Sequence, residues 1–271
     1  MQKLTTIRDI YRKELTNEYG EREAQQLFLT ACLRIDNKGL SHVILGEETA
    51  NKQLYFSCLE AISQGLPIQY FFGLADFDGM LLKVNEEVLI PRPETEELVH
   101  WVSESLVDKK STVLDMCTGS ACIALALKRR HPDTEMIASD VSQAALAIAQ
   151  ENAKLYKLEL KFICSDALKD DIPQCDIIVC NPPYIPLGEK GSMAKQVVDH
   201  EPEIALFVPD HKALIFYERI AETVKERGIE AFVEIHEDLK VELEEMLHKF
   251  GVQFTFRKDM QEKWRMLHMK T

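Results

Sequence analysis

Thr112-Val113-Leu114-Asp115-Met116-Cys117-Thr118-Gly119-Ser120-Ala121-Cys122 passes from an apolar run through small residues into a helical pattern. A strand that ends in such a turn and enters a helix lets a ligand approach backbone amides at the helix N-terminus. From Thr112 onward the same alternation repeats. The residue pattern predicts strands over Thr112–Met116, Glu135–Ser139, Lys161–Cys164, Asp176–Cys180 and Glu230–Ile235. Helices are expected over Ser120–Arg130, Ser142–Leu155, Lys212–Arg227 and Glu237–Phe250. Strands alternating with helices imply a parallel sheet covered on both faces. Val252–Phe256 and Arg265–Met269 lie too close together for a crossover helix, so they are expected to pair antiparallel. The fold class is therefore α/β, a Rossmann-like sheet with an antiparallel last strand.

Upstream of Thr112 the texture changes. Leu4, Ile7, Ile10, Tyr11 and Leu15 recur at helical spacing, as do Ala24, Leu27, Phe28 and Ala31. A further helix over Asn51–Ser63 is stopped by Gly65 and Pro67. Residues 1–70 thus read as a small helical bundle. Residues 71–91 read as a hairpin linker turning at Asp78-Gly79. Residues 92–271 form the α/β domain, opened by a helix that starts near Glu94 or Thr95.

The whole chain has 271 residues, 46% hydrophobic and 28% charged, which excludes disordered, collagen-like and coiled-coil classes. The 32 basic and 45 acidic side chains leave a net charge of −13, a poor surface for holding phosphate backbones, so stable nucleic-acid binding is not expected. No apolar run approaches the ~20 residues of a membrane helix, and no secretory pattern opens the chain. Seven cysteines without a Cys-x-x-Cys pair suggest neither a disulfide framework nor a zinc site. A reduced, cytoplasmic monomer with no bound metal is the expectation.

In sheets of this kind ligands lie beyond the carboxyl ends of the strands. Asp140, at the end of the second strand, follows Gly119 by 21 residues, the spacing of an acid that holds ribose hydroxyls. A purely structural turn with a helix-capping acid is the alternative. The loop keeps Gly119 alone where dinucleotide loops often have three glycines, which argues against NAD. S-adenosylmethionine carries no phosphate and tolerates a looser loop. Asp166, after the third strand, is placed to accept an adenine amino group or is a simple turn acid. Lys128-Arg129-Arg130-His131 reads as charge complementing the C-terminal end of its own helix.

The sharpest signal is Asp176-Ile177-Ile178-Val179-Cys180, a buried-strand run that delivers Asn181-Pro182-Pro183-Tyr184. Two prolines stiffen the backbone and remove two donors. A planar NH2 group fits such an edge, with the Asn181 side-chain oxygen and the Pro182 carbonyl each accepting one N–H. An amide nitrogen is a poor nucleophile, and two accepted hydrogen bonds orient it for attack on a sulfonium methyl. Tyr184 offers an aromatic face for the charge that develops.

With these residues in view, the chain resembles the HemK/PrmC family of release-factor glutamine methyltransferases. Asn181–Tyr184 is shared with amino-methylating DNA and RNA enzymes. The selective stretches are Leu89-Ile90-Pro91-Arg92-Pro93-Glu94-Thr95-Glu96, then His200-Glu201-Pro202 with Ala205-Leu206. The resemblance spans nearly the whole chain. It implies a class I methyltransferase using S-adenosylmethionine. Cys117, Thr118, Gly119, Ser120 and Ala121 would line its methionine and ribose part, Asp140 would hold the ribose, and Ala167 and Asp166 would lie near the adenine. Asn181, Pro182, Pro183 and Tyr184 would hold the target glutamine, with Asn181 and Tyr184 catalytic and Asn181 also bordering the cofactor. The implied substrate is the Gly-Gly-Gln glutamine of peptide-chain release factors, docked with help from the helical domain. Cys117 and Ala121 stand where the family pattern has glycine, and Glu234-Ile235-His236 where it has Glu-Ile-Gly. Methylation of an exocyclic adenine amine in DNA or RNA, and an inactive binding module, are the alternatives.

Overall fold

The computed structural model describes residues 1–107 and 110–271. They form two compact units, Met1–Gly73 with Ala194–His200, and Leu74–Met193 with Glu201–Thr271.

The first unit is helical. α1 (Leu4–Asp36) carries both apolar stretches noted in the sequence and breaks between them at Gly20, whose φ of 79° and ψ of 163° belong to glycine territory. α2 (Leu40–Ile44), α3 (Lys52–Ser63) and α4 (Ile68–Phe72) follow. Leu4, Ile7, Tyr11 and Leu15 from before the break pack with Phe28 from after it and with Tyr55, Cys58 and Ile62 of α3. The buried Tyr11 hydroxyl donates to the Tyr55 carbonyl at 2.7 Å, so this core hides no unpaired phenol.

The second unit begins with a hairpin, β1 (Leu74–Phe77) and β2 (Met80–Lys83). Its turn residues Asp78 and Gly79 both have positive φ, 49° and 69°, the requirement of a two-residue turn matched to strand twist. Alternate hairpin residues are apolar, and Phe77, Met80 and Leu82 are buried in one core with Leu98, Val99 and Val102 of α5 (Pro93–Ser105). The hairpin is therefore packed on this unit.

Seven strands of the described residues make the main sheet: β3 (Thr112–Met116), β4 (Glu135–Asp140), β5 (Lys161–Cys164), β6 (Ile177–Cys180), β7 (Glu230–Glu234), β8 (Gln253–Lys258) and β9 (Trp264–Lys270). Their spatial order is β8-β9-β7-β6-β3-β4-β5. β3 to β7 run parallel, and β9 lies antiparallel between β7 and β8. Helices α6 (Cys122–Arg130) and α7 (Gln143–Tyr156) join α5 on one face, while α8 (Ile215–Arg227) and α9 (Lys240–Phe250) cover the other. The period of two is visible in β6, where Ile177 and Val179 face the first layer and Ile178 and Cys180 the second. The chain leaves β3 toward β4 on one side, then returns to place β6 on the other. That reversal opens a crevice at the carboxyl ends of β3 and β6.

The basic run at the end of α6 also makes contacts beyond its own helix. Lys128 Nζ donates to the Pro132 and Thr134 carbonyls, whereas Arg129 and Arg130 both pair with the Asp78 carboxylate in the hairpin turn. The hairpin brings a buried acid to these two guanidiniums, which still stand in the last turn of α6.

Candidate active site

A cleft occupies that crevice, at the place where sheets of this kind bind small molecules. Cys117 and Gly119 after β3, Asp140 at the end of β4, Asp166 and Ala167 after β5, and Asn181 and Pro183 after β6 all line it. The segments Glu87–Leu89 and Ile204–Ala205 complete its wall. Thr118 and Ser120 border a smaller adjoining cavity together with Leu89, Arg92, Thr95 and Asn181. Ala121, Pro182 and Tyr184 line neither cavity.

The turn after β3 is built around Asp115. This fully buried carboxylate accepts from the Thr118 hydroxyl at 2.6 Å and from the Ala124 amide at 3.1 Å. Burial outweighs those bonds and pushes its pKa up to about 7. Thr118 is thus turned into the protein, holding the loop rather than reaching for a ligand. Cys117, Gly119 and Ala121 have φ of 62°, 53° and 63°. Two of the three left-handed positions are filled by residues with a Cβ, so this turn stores backbone strain. Ala121 is wholly buried in the α6 core.

Asp140 joins the two ligand loops. Its Oδ2 accepts the Gly119 amide and its Oδ1 the Ser142 amide, each at 2.9 Å, and burial raises its pKa. The expected ribose acid is therefore also a structural clamp on the glycine turn. Each oxygen keeps a lone pair, enough to accept a hydroxyl. Asp166 is more committed to its own turn. It accepts from Lys169 Nζ at 2.6 Å and from the Leu168 amide at 3.0 Å, and the hydrogen bond from Lys169 lowers its pKa. Asn152, wholly buried on α7, binds Lys83 through both its N–H and C=O and donates to the Ser120 carbonyl, tying hairpin to loop.

Beyond β6 the Asn181 side chain donates to Thr95 Oγ1 at 3.2 Å, and Thr95 donates to Glu234 at 2.6 Å. Tyr184 is half-buried, with its ring 5.8 Å from that of His236 and its pKa raised by burial. His236 accepts from the Asp238 amide at 3.4 Å, a local turn contact. Ile185–Pro186 then pairs in parallel with Phe207–Val208, which brings Ile204 and Ala205 back over the cleft. Thr95, Glu234 and the Arg92–Glu201 pair escape a reading of motifs in isolation. The available signal was one acid closing the apolar strand Ala231-Phe232-Val233 and one hydroxyl inside the Pro-Arg-Pro-Glu-Thr stretch.

The cleft suits S-adenosylmethionine. Asp140 faces it with acceptor capacity for a ribose, Ala145, Ala167 and Phe216 supply apolar walls, and among the described residues no lysine or arginine lines this cleft. Ser120 Oγ, buried and without a hydrogen-bond partner among the described residues, borders the smaller cavity, where a methionine end can supply one. No group of His, Cys, Asp and Glu among the described residues is arranged to hold a metal. No described helix is long and apolar enough to cross a membrane.

Residues 95–206 match the family model described as Methyltransferase small domain. The chain is 41% identical to the release factor glutamine methyltransferase of Flavobacterium psychrophilum, over 86% of this chain and 81% of that one. It is 39% identical to the release factor glutamine methyltransferase of Streptococcus pneumoniae, over 81% and 79% of the respective chains. Among solved structures, the hMettl16 catalytic domain in complex with MAT2A 3′UTR hairpin 6 matches with a TM-score of 0.57 at 19% identity, over 80% of each chain. The T. thermophilus 16S rRNA N2 G1207 methyltransferase in complex with AdoMet and guanosine gives 0.52 at 20% identity, over 73% of this chain and 49% of that one. These two likenesses are of fold. Sheet order, cleft and relatives together define a class I methyltransferase dependent on S-adenosylmethionine. Within that class, the chain belongs to the release factor glutamine methyltransferase family.

Proposed function

We propose that this chain methylates the side-chain amide nitrogen of a glutamine in peptide-chain release factors, that of the Gly-Gly-Gln loop. The observation that carries the substrate is the 41% identity, over 86% of this chain, to a release factor glutamine methyltransferase, and the position of Asn181, at the carboxyl end of β6 and on the wall of the cleft that Asp140 and Ala167 also line, supports transfer to an amide nitrogen. When bound, S-adenosylmethionine supplies an electrophilic methyl group on a sulfonium. Asn181 Oδ1 and the Pro182 carbonyl each accept one N–H of the glutamine amide, which holds its nitrogen toward the cleft. Both acceptors favour the nitrogen as it becomes positive, a gain specific to the transition state. One N–H proton then leaves to water, so no strong base is required. Tyr184 closes the far side of the loop with its ring. Two glycines ahead of the target residue give a substrate loop slim and flexible enough to enter. Residues 1–70 would serve to dock the protein substrate, residues 71–91 to connect and residues 92–271 to catalyse. A cytoplasmic monomer fits these roles.

Intact-mass analysis of a purified release factor, incubated with this protein and S-adenosylmethionine, tests the reading. One methyl group gained by the wild-type factor and none by its Gly-Gly-Gln glutamine variant is the expected result. An unmodified factor, with S-adenosylmethionine binding demonstrated by calorimetry, would overturn the substrate assignment and leave the cofactor site standing.

A further inference from the structure

The hydrogen bonds around Asn181 have a direction as well as a length. Thr95 lies in the first turn of α5 and Glu234 is the last residue of β7, 139 positions later. Both are almost completely buried, at 2% and 3% exposure, so neither can exchange its partner for water. A threonine hydroxyl has one hydrogen. Thr95 gives it to Glu234 Oε2, which leaves only lone pairs on Oγ1 for Asn181. The amide of Asn181 satisfies those lone pairs with its NH2 group alone. Turned by 180°, it would set oxygen against oxygen in a buried place, losing a hydrogen bond and leaving an acceptor unpaired. Glu234 is itself held fast: the Tyr217 hydroxyl donates to its carbonyl at 3.0 Å, and the next amide, Ile235, donates to the Arg265 carbonyl at 2.8 Å.

We infer that Thr95 and Glu234 are positioning residues that set the Asn181 amide in the one orientation presenting Oδ1 to the substrate nitrogen. The inference rests on the methyl-transfer reading above for its consequence, and on the hydrogen-bond directions for its existence. Asn181 offered the other way round would present N–H to N–H, and the target amide would be repelled rather than held. A free asparagine samples both orientations. The buried carboxylate, acting through one hydroxyl, removes the wrong one before substrate arrives.

Thr95→Val removes the hydroxyl at nearly constant shape, and Thr95→Ser retains it. Turnover on a release factor, calorimetry with S-adenosylmethionine, and NMR exchange of the Asn181 side-chain NH2 in the cofactor-bound enzyme are measured for both. Thr95→Val is expected to lower kcat by about tenfold or more while cofactor affinity holds, with faster NH2 exchange. Thr95→Ser is expected to restore both. Glu234→Gln, which admits the reversed hydrogen-bond direction, should also lower kcat and provides the test should Thr95→Val fold poorly. Wild-type turnover in Thr95→Val or Glu234→Gln, equal losses in Thr95→Val and Thr95→Ser, or NH2 exchange indifferent to Thr95 would each overturn the inference. A wild-type enzyme that leaves the release factor unmodified would refute the substrate reading instead, and the NH2 exchange would still decide the relay.

Discussion

Arg92 and Glu201 form an ion pair at 2.5 Å in which the carboxylate is 1% exposed and the guanidinium one third exposed. The other Glu201 oxygen accepts the Ile90 amide at 3.2 Å, so one side chain fastens the Leu89–Arg92 stretch to the segment that carries Ile204 and Ala205. Glu201→Ala strands the Ile90 amide and the Arg92 charge, and a loss of about 2 kcal/mol is expected after allowance for the exposed guanidinium. Glu201→Gln keeps an acceptor for Ile90 and should lose less. Urea unfolding of the three proteins checks the order.

Asn181→Ala removes one of the two acceptors offered to the substrate amide. The expected cost is about 2–4 kcal/mol in kcat/KM for the release factor, seen mainly in kcat. Single-turnover methylation at saturating cofactor measures it. Turnover near that of the wild type would remove Asn181 from the chemistry.

Asp140→Asn keeps a similar shape but removes the charge that is to receive the ribose hydroxyls. Hydrogen bonds to a charged group are worth about 1.5–3 kcal/mol, so the Kd for S-adenosylmethionine should rise roughly 10- to 100-fold. Calorimetry provides the value. Asp166→Asn, whose carboxylate is already occupied by Lys169 and Leu168, should change it far less.

Burial pushes the pKa of both Asp115 and Glu234 up to about 7, against unfolded values near 4. At Glu234 the Thr95 hydrogen bond and the charges of Arg265 and Arg92 oppose that rise, while Glu94 adds to it. A raised folded pKa gives stability that is complete below the unfolded value and is lost as the pH climbs through the folded one. These two acids therefore favour the fold most below about pH 4, and their contribution declines between about pH 4 and pH 7. Glu234→Gln should gain on the wild type across that window, by on the order of 2 kcal/mol, and hold a constant difference above it. Denaturation at a series of pH values follows the gap.

Cys117→Gly and Ala121→Gly place at two left-handed positions the residue that adopts them without strain. The relief is about 1–2 kcal/mol each, offset by about 0.4–1 kcal/mol of added chain entropy in the unfolded state. At Ala121 a wholly buried methyl is also lost, so Cys117→Gly should be the more stabilising. Thermal melts with and without S-adenosylmethionine separate the effect on the fold from that on the cofactor loop.

The parallel strands were legible because each is a short, mostly apolar run bounded by turn or helix signals, and their boundaries agree with the structure to within a residue. The cleft residues Gly119, Asp140, Ala167 and Asn181 were legible too, since motif position fixes which end of the sheet they occupy. Contacts between distant segments were not. Asn181 and Thr95 are 86 residues apart, and Thr95 reads in sequence as a helix start inside the Leu89–Glu96 stretch, with no sign of its partner. Arg129 and Arg130 read as helix-end charges because nothing in their own neighbourhood announces Asp78. Likewise the place of β9 inside the sheet, between β7 and β8, depends on which edge the return strand finds rather than on its own residues.

That inserted strand has a consequence for the timing of synthesis. Glu234 pairs in register with Met266, so β7 has an unpaired edge until Trp264–Lys270 has emerged from the ribosome. The strands from β3 to β7 can assemble without it, but β8 has no neighbour in the sheet except β9, and the edge of β7 beside Glu234, which through Thr95 holds the amide of Asn181, stays open until that strand is in place. The sheet thus gains its order from its parallel centre outward, and the alignment of Glu234, Thr95 and Asn181 waits on the return strand that closes the edge of β7.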